Sequence, residues 1–155
     1  IDRYFFRLYS KILQGMDKEF TVLELIDEIY RRQQLVAKAF NKAGITHTVF
    51  LNYTALIIQA AKYYPNFIVQ FTEIQNRFIN RWKNALIKSV ERKEIREDID
   101  INMMCILFNA ACTRESSECD PKRIHDHTHE FSKSIMKDLE KRREVMLYLY
   151  NLIKA

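Results

Sequence analysis

The densest set of potential metal ligands in this 155-residue chain is His125-Asp126-His127-Thr128-His129. On a helix, His125 and His129 stand one turn apart and can share one ion, while His127 faces elsewhere. Metal centres take three or four protein ligands, so this pair needs a third from another part of the fold. Cys119 and Asp120 are close in sequence, but no known motif places them. The competing reading, a solvated polar helix start, needs no partner, and the chain is read without a metal or any other cofactor.

Nucleophilic and acid–base chemistry find less. No serine stands between glycines, no Gly-rich loop is present to cradle phosphate, and no cysteine is paired with a histidine at suggestive spacing. Glu97, Asp98 and Asp100 lie in a hydrophilic stretch where carboxylates serve the start of the next helix. The chain reads as a protein that binds rather than as an enzyme.

Aromatic side chains carry the stronger signal. Phe71, Gln75, Phe78 and Trp82 fall on one helix, Phe50 and Tyr53 on a second, Met104 and Phe108 on a third. Converging, they form either a slot for a small apolar or amphipathic ligand or a solid core. Gln75, Asn52, Asn109 and tyrosine hydroxyls supply the polar groups that such a slot needs.

The elements that position these residues are helices. Two glycines and two prolines in 155 residues leave long uninterrupted segments. Tyr4, Phe5, Leu8, Ile12 and Leu13 repeat at helical spacing over Ile1 to Met16, with Gly15 at the end. Thr21-Val22-Leu23-Glu24 matches a capping box ahead of a helix with Val22, Ile26, Ile29, Val36 and Phe40 on one face and Gly44 as its stop. Val49 to Tyr64 is apolar on most sides, which predicts a place in the middle of a bundle. Pro65 ends it and starts a helix striped with Phe67, Phe71, Ile74, Phe78, Trp82, Ala85 and Leu86.

A charged hinge, Lys93 to Asp100, leads to a short apolar helix, Ile101 to Cys112, capped by Asp100. After a polar loop from Thr113 to Cys119, Asp120-Pro121 marks another start. Ile124, Phe131, Ile135, Leu139, Met146, Leu149 and Ile153 then hold one face, interrupted by Arg142, in a helix either long or broken near Thr128. No segment alternates as a strand does. The prediction is one all-α domain over 1–155, a multi-helix bundle.

Totals narrow the partners. The net charge of +5 comes from 25 Lys and Arg against 20 Asp and Glu, and the signs interleave along helix faces. Interleaving marks solvated faces, whereas a phosphate-tracking surface carries a cleaner basic stripe. No apolar run reaches 18 residues, so no membrane span is expected. Three cysteines, Cys105, Cys112 and Cys119, with no signal-peptide pattern fit a reducing, cytoplasmic setting. A chain that begins at Ile1 reads as an excised domain.

Two helices offer a subunit interface: Leu107, Ala110 and Ala111 on the short apolar helix, and Met136, Leu139, Met146, Leu149 and Tyr150 on the last. Paired across a two-fold axis they make a four-helix contact; the alternative is a packing face within one chain.

With these residues in place, the chain resembles the C-terminal ligand-sensing and dimerisation domain of TetR-type transcriptional regulators. The likeness runs through Tyr64-Pro65-Asn66-Phe67, Arg81-Trp82-Lys83 and Glu94-Ile95-Arg96-Glu97-Asp98-Ile99-Asp100. Lys93 or Glu94 stands where that family's hinge often has glycine. The resemblance implies a homodimer paired through its final two helices and a small effector received inside each subunit. It also implies DNA contact only through an N-terminal helix-turn-helix that is not in this chain. Two other readings stand beside it: a structural helical dimerisation module without ligand, and a cytosolic metal-binding helical protein using His125 and His129.

Overall fold

The computed structural model describes residues 14–15, 18–42, 58–113 and 129–155, with backbone alone for 39–41 and 129–135. These form an all-α multi-helix bundle: α1 (Val22–Lys42), α2 (Pro65–Glu91), α3 (Ile101–Thr113) and α4 (His129–Ile153). A further helical stretch covers 58–63. The expected first helix and its residues Tyr4, Phe5, Leu8, Ile12 and Leu13 lie outside the described residues, as do Gly44, Phe50, Tyr53 and Asp120-Pro121. Gly15, foreseen as a helix stop, sits in a turn at φ +77°, a conformation other residues adopt only with strain.

The capping box closes as anticipated. The Thr21 amide donates to Glu24 Oε2 at 3.0 Å, and the Glu24 amide donates to Thr21 Oγ1 at 3.4 Å. The neighbouring amide, Val22 N–H, has no partner within its own turn. It donates to Ser89 Oγ at 2.9 Å, from a serine 67 residues away and wholly buried. Val22, Leu25, Ile26 and Ile29 follow at helical spacing and are all buried.

Pro65 occupies the first turn of α2, where its missing N–H is harmless, and Tyr64 before it is extended, as a residue preceding proline must be. The expectation of an apolar helix buried on every side is corrected over its described end. Only Ala60 is buried there, while Ile58, Tyr63 and Tyr64 are exposed. The reason is that the shared core, among the described residues, draws on α1, α2, the hinge, α3 and α4 and takes nothing from 58–63.

The C-terminus of α2 ends in a Schellman motif. Lys93 N–H donates to Val90 O at 2.9 Å and Glu94 N–H to Ser89 O at 2.9 Å, with Lys93 in the left-handed region at φ +59°. Lys93 is one of the two positions, with Glu94, at which a hinge glycine was expected and is replaced here. Beyond it, the hinge pairs with the end of α4: Arg96 N–H donates to Ile153 O at 2.8 Å, and Ala155 N–H to Glu94 O at 3.0 Å. Asp100 then caps α3 through Met103 N–H at 3.0 Å.

Trp82 and Phe108 stack at the centre, ring centroids 4.8 Å apart and both out of solvent. Val22, Leu25, Ile26, Leu86, Ile95, Cys105, Met146 and Ile153 belong to the same cluster. α1 packs chiefly along α4, and α3 lies between α2 and α4.

Two substitutions test this frame. Ser89→Ala strands the buried Val22 amide and is expected to lower unfolding stability by about 1–3 kcal/mol in urea titration. Lys93→Gly relieves a left-handed non-glycine residue at some cost in chain entropy. A net gain of up to about 1 kcal/mol is expected from the same titration, and a loss would mean the Lys93 side chain has another role.

Candidate functional site

The last turn of α3 is the most unusual place in the described residues. The end of a helix leaves carbonyls without intrahelical partners and a negative partial charge, so cations and donors gather there. Gln33 from α1 donates through Nε2 to Cys112 O at 2.9 Å, and Arg142 from α4 donates through Nη1 to the same oxygen at 3.3 Å. Arg81 from α2 reaches Cys112 Sγ through Nη2 at 3.8 Å, while the thiol donates to Asn109 O at 3.2 Å. Three helices thus converge on one turn of a fourth.

Charge in this node is not balanced. Arg142 pairs with Asp138 at 3.1 Å, and Arg31 and Arg32 share Glu28, each at 2.6 Å. Arg81 meets no carboxylate among the described residues; its guanidinium lies over the Phe78 ring at 4.5 Å and against a thiol, a weak acceptor. Burial pushes the Arg81 pKa down, the Cys112 thiol opposes that shift, and the neighbouring Arg32 charge adds to it.

Polar satisfaction is incomplete at the same place. Gln33 Oε1, Arg81 Nε, Arg142 Nε and Trp82 Nε1 are buried without a hydrogen-bond partner. Each belongs to a side chain that touches the 108–112 turn: three reach Cys112, and Trp82 stacks on Phe108. Three of these are donors and Gln33 Oε1 is an acceptor; buried polar atoms are ordinarily paired, so among the described residues this turn gathers an unusual share of unmet hydrogen-bonding groups.

The residues foreseen as ligand-binding divide into three groups. Trp82 and Phe108 are packed on each other in the sealed core; Phe71, Gln75, Phe78 and Met104 are partly buried, Met104 against that core. Phe50 and Tyr53 lie outside the described residues. Of the interface set, Ala111, Leu139 and Met146 are buried inside the protomer, Met136, Leu149 and Tyr150 are partly buried, and Leu107 and Ala110 are exposed. His125 and His127 lie outside the described residues, and only backbone is described for His129. Among the described residues, no three His, Cys, Asp or Glu side chains gather to hold a metal ion.

Cys105 and Cys112 are both free and buried, as small core side chains, and burial pushes the Cys105 thiol pKa up against the opposing charge of Lys83. Cys119 is outside the described residues. Among the described helices, none is long and apolar enough to cross a membrane.

Sequence reading passed over Arg81, Gln33 and Arg142 as a group. A signal existed: Ile74, Phe78, Arg81 and Ala85 recur at steps of four, three and four, which puts a guanidinium at a core-facing position. Arg142 likewise interrupts the apolar face of α4.

In comparisons with known proteins, the chain matches no family model, no curated protein and no solved structure.

α1 carries a pH signature of its own. Hydrogen bonds from Arg31 and Arg32 hold the Glu28 carboxyl down at about 2, from an ordinary 4.5. A depressed carboxyl stabilises the fold above its unfolded pKa, and that contribution is lost as pH falls. Thermal stability is expected to drop between about pH 4.5 and about 2, and Glu28→Gln should flatten that part of the profile, read by circular dichroism melts across the range.

Proposed function

We propose that this chain is the effector-sensing and dimerisation part of a transcriptional regulator resembling the TetR type. It works as a homodimer whose small effector alters DNA binding by helix-turn-helix segments outside this chain. The observation that carries the reading is the second face of α3. One side of this helix buries Cys105, Phe108, Ala111 and Cys112, while Met103, Ile106, Leu107 and Ala110 are bare. Ile106 is 58% exposed and Met103 52%, too much apolar surface on one short helix to be left to water without a partner.

A second copy of the chain suits that face. α3 contains no charged residue, so two copies meet without like-charge repulsion and without stripping water from ions. α4 adds exposed Tyr148 and Leu152. The centre of the contact therefore falls on Met103, Ile106 and Leu107 rather than on Leu139 and Met146, which the protomer's own core has taken. A four-helix contact across a two-fold axis is the natural closure.

The sensing step is a shift between two arrangements of the helices. An effector moves that balance only by its difference in affinity for the two, and recognition helices roughly 34–36 Å apart on DNA tolerate little rotation. The second reading, a dimerisation module without effector, draws support from the sealed Trp82–Phe108 stack. Saturable thermal stabilisation by small organic compounds separates the two, because a ligand that binds the folded state raises its stability by mass action.

Sedimentation velocity at micromolar concentration tests the dimer. Wild type is expected to run as a dimer and Ile106→Glu as a monomer with unchanged helical content, a weakening of at least about 30-fold for a charge buried at the centre of a contact. A monomeric wild-type chain, or a glutamate variant that still pairs, counts against the reading.

A further inference from the structure

We infer that the corner where the helical stretch 58–63 meets α2 is a membrane-contact surface, fitted to a bilayer that carries anionic headgroups. The inference goes beyond the regulator reading and does not depend on it.

Charge is the first observation. Residues 29–72 contain no Asp or Glu, and their basic residues are Arg31, Arg32, Lys38, Lys42 and Lys62. Those five equal the whole net charge of +5, so the two signs balance over the rest of the chain. Glu28 answers Arg31 and Arg32, whereas Lys38, Lys42 and Lys62 meet no carboxylate among the described residues. The fold gathers these lysines toward one end. Val22 at the start of α1 meets Ser89 near the end of α2, and further along Gln33 and Arg81 meet on Cys112. α1 therefore runs antiparallel to α2, and its last turns, with Lys38 and Lys42, lead toward the end of the bundle where α2 begins.

Apolar exposure is the second observation. Ile58, Tyr63, Tyr64, Ile68 and Val69 are each at least half exposed. On α2 this bare apolar face stops at Val69: Thr72, Asn76 and Asn80 occupy the same side of the helix beyond it. The patch is thus confined to the corner. Lys62 sits within it, its ammonium 5.2 Å from the centre of the Tyr63 ring.

The chemistry selects the occupant. Nucleic acid takes a dense row of cations along its phosphates, and a few lysines beside five bare apolar side chains do not make one. A second copy would set the same lysines against each other. A bilayer answers both features: anionic headgroups meet the lysines, and the interfacial layer takes the aliphatic side chains with tyrosine at the boundary. Lysine keeps its charge at headgroup level while its stem lies along apolar neighbours. A corner between helices is convex, and a fluid surface requires no matching cleft. No described helix is long and apolar enough to cross, so the contact is with the surface.

Flotation of the full chain tests the assignment, with vesicles of phosphatidylcholine alone and of phosphatidylcholine and phosphatidylserine in equal parts. Binding is expected only to the anionic vesicles, and added salt should weaken it by screening the lysines. Lys62→Gln should lower the partition about 5-fold, and Tyr64→Ser combined with Ile68→Ser at least about 10-fold. Ile87→Ser, at the far end of α2, should change nothing. Circular dichroism checks that each variant folds; if the serine pair does not, Lys62→Gln and the comparison of vesicle types on wild type decide.

Equal flotation with both vesicle types, no binding to the anionic ones, or undiminished binding by the serine pair overturns the assignment. A short DNA duplex bound more tightly than the anionic vesicles, or a dimer lost in the serine pair, gives the corner to another occupant and overturns it as well. Sedimentation separates the two levels: a wild-type dimer that ignores vesicles sinks this inference alone, whereas a monomer that binds them sinks the dimeric reading alone.

Discussion

The buried Ser89 ties this bundle together. Its hydroxyl accepts the Val22 amide that opens α1, and its carbonyl accepts the Glu94 amide that closes α2. One residue thus fixes where one helix begins, where another ends and how the hinge leaves. A polar residue can be so deeply buried because both its oxygens are occupied, and each partner amide would otherwise be stranded in the core. The hinge that departs from it is pinned in turn to the end of α4 through Arg96 and Ile153. The positions of α3 and α4 relative to α1 and α2 follow from these short contacts.

Once the frame is set, the core and the node divide α3 between them. Phe108 goes to the Trp82 stack, and one turn later Cys112 receives Gln33, Arg81 and Arg142. Hydrophobic packing therefore lies directly against a polar cluster with several unmet groups among the described residues. A change at the helix end would be felt at once by the central aromatic pair, because close-packed interiors transmit small displacements. The bare side of the same helix holds Met103, Ile106 and Leu107. One 13-residue helix therefore links a charged node, the core and the face proposed for a second subunit.

Local rules were legible in residue order. The capping box at Thr21 and Glu24, the Tyr64-Pro65 step and the Asp100 cap stand as capping chemistry predicted, and of the foreseen stripe Phe67, Ile74, Trp82, Ala85 and Leu86 are buried while Phe71 and Phe78 are only partly so. Each depends on interactions within a few residues of chain. Over 58–64, the described end of the segment expected in the middle of the bundle, apolar content did not mean burial, and Ile58, Tyr63 and Tyr64 face solvent.

Helix positions, their caps and the apolar faces came from side-chain type and spacing alone, since these interactions close within one or two turns. Which apolar residues are sealed and which are bare came from packing: Met146 and Met103 are the same residue type, yet one is wholly buried and the other half exposed. The pairing of Ser89 with Val22 and the gathering of Gln33, Arg81 and Arg142 on Cys112 join residues 30 to 79 apart in the chain. No local pattern encodes such meetings, because they depend on how whole helices lie across one another.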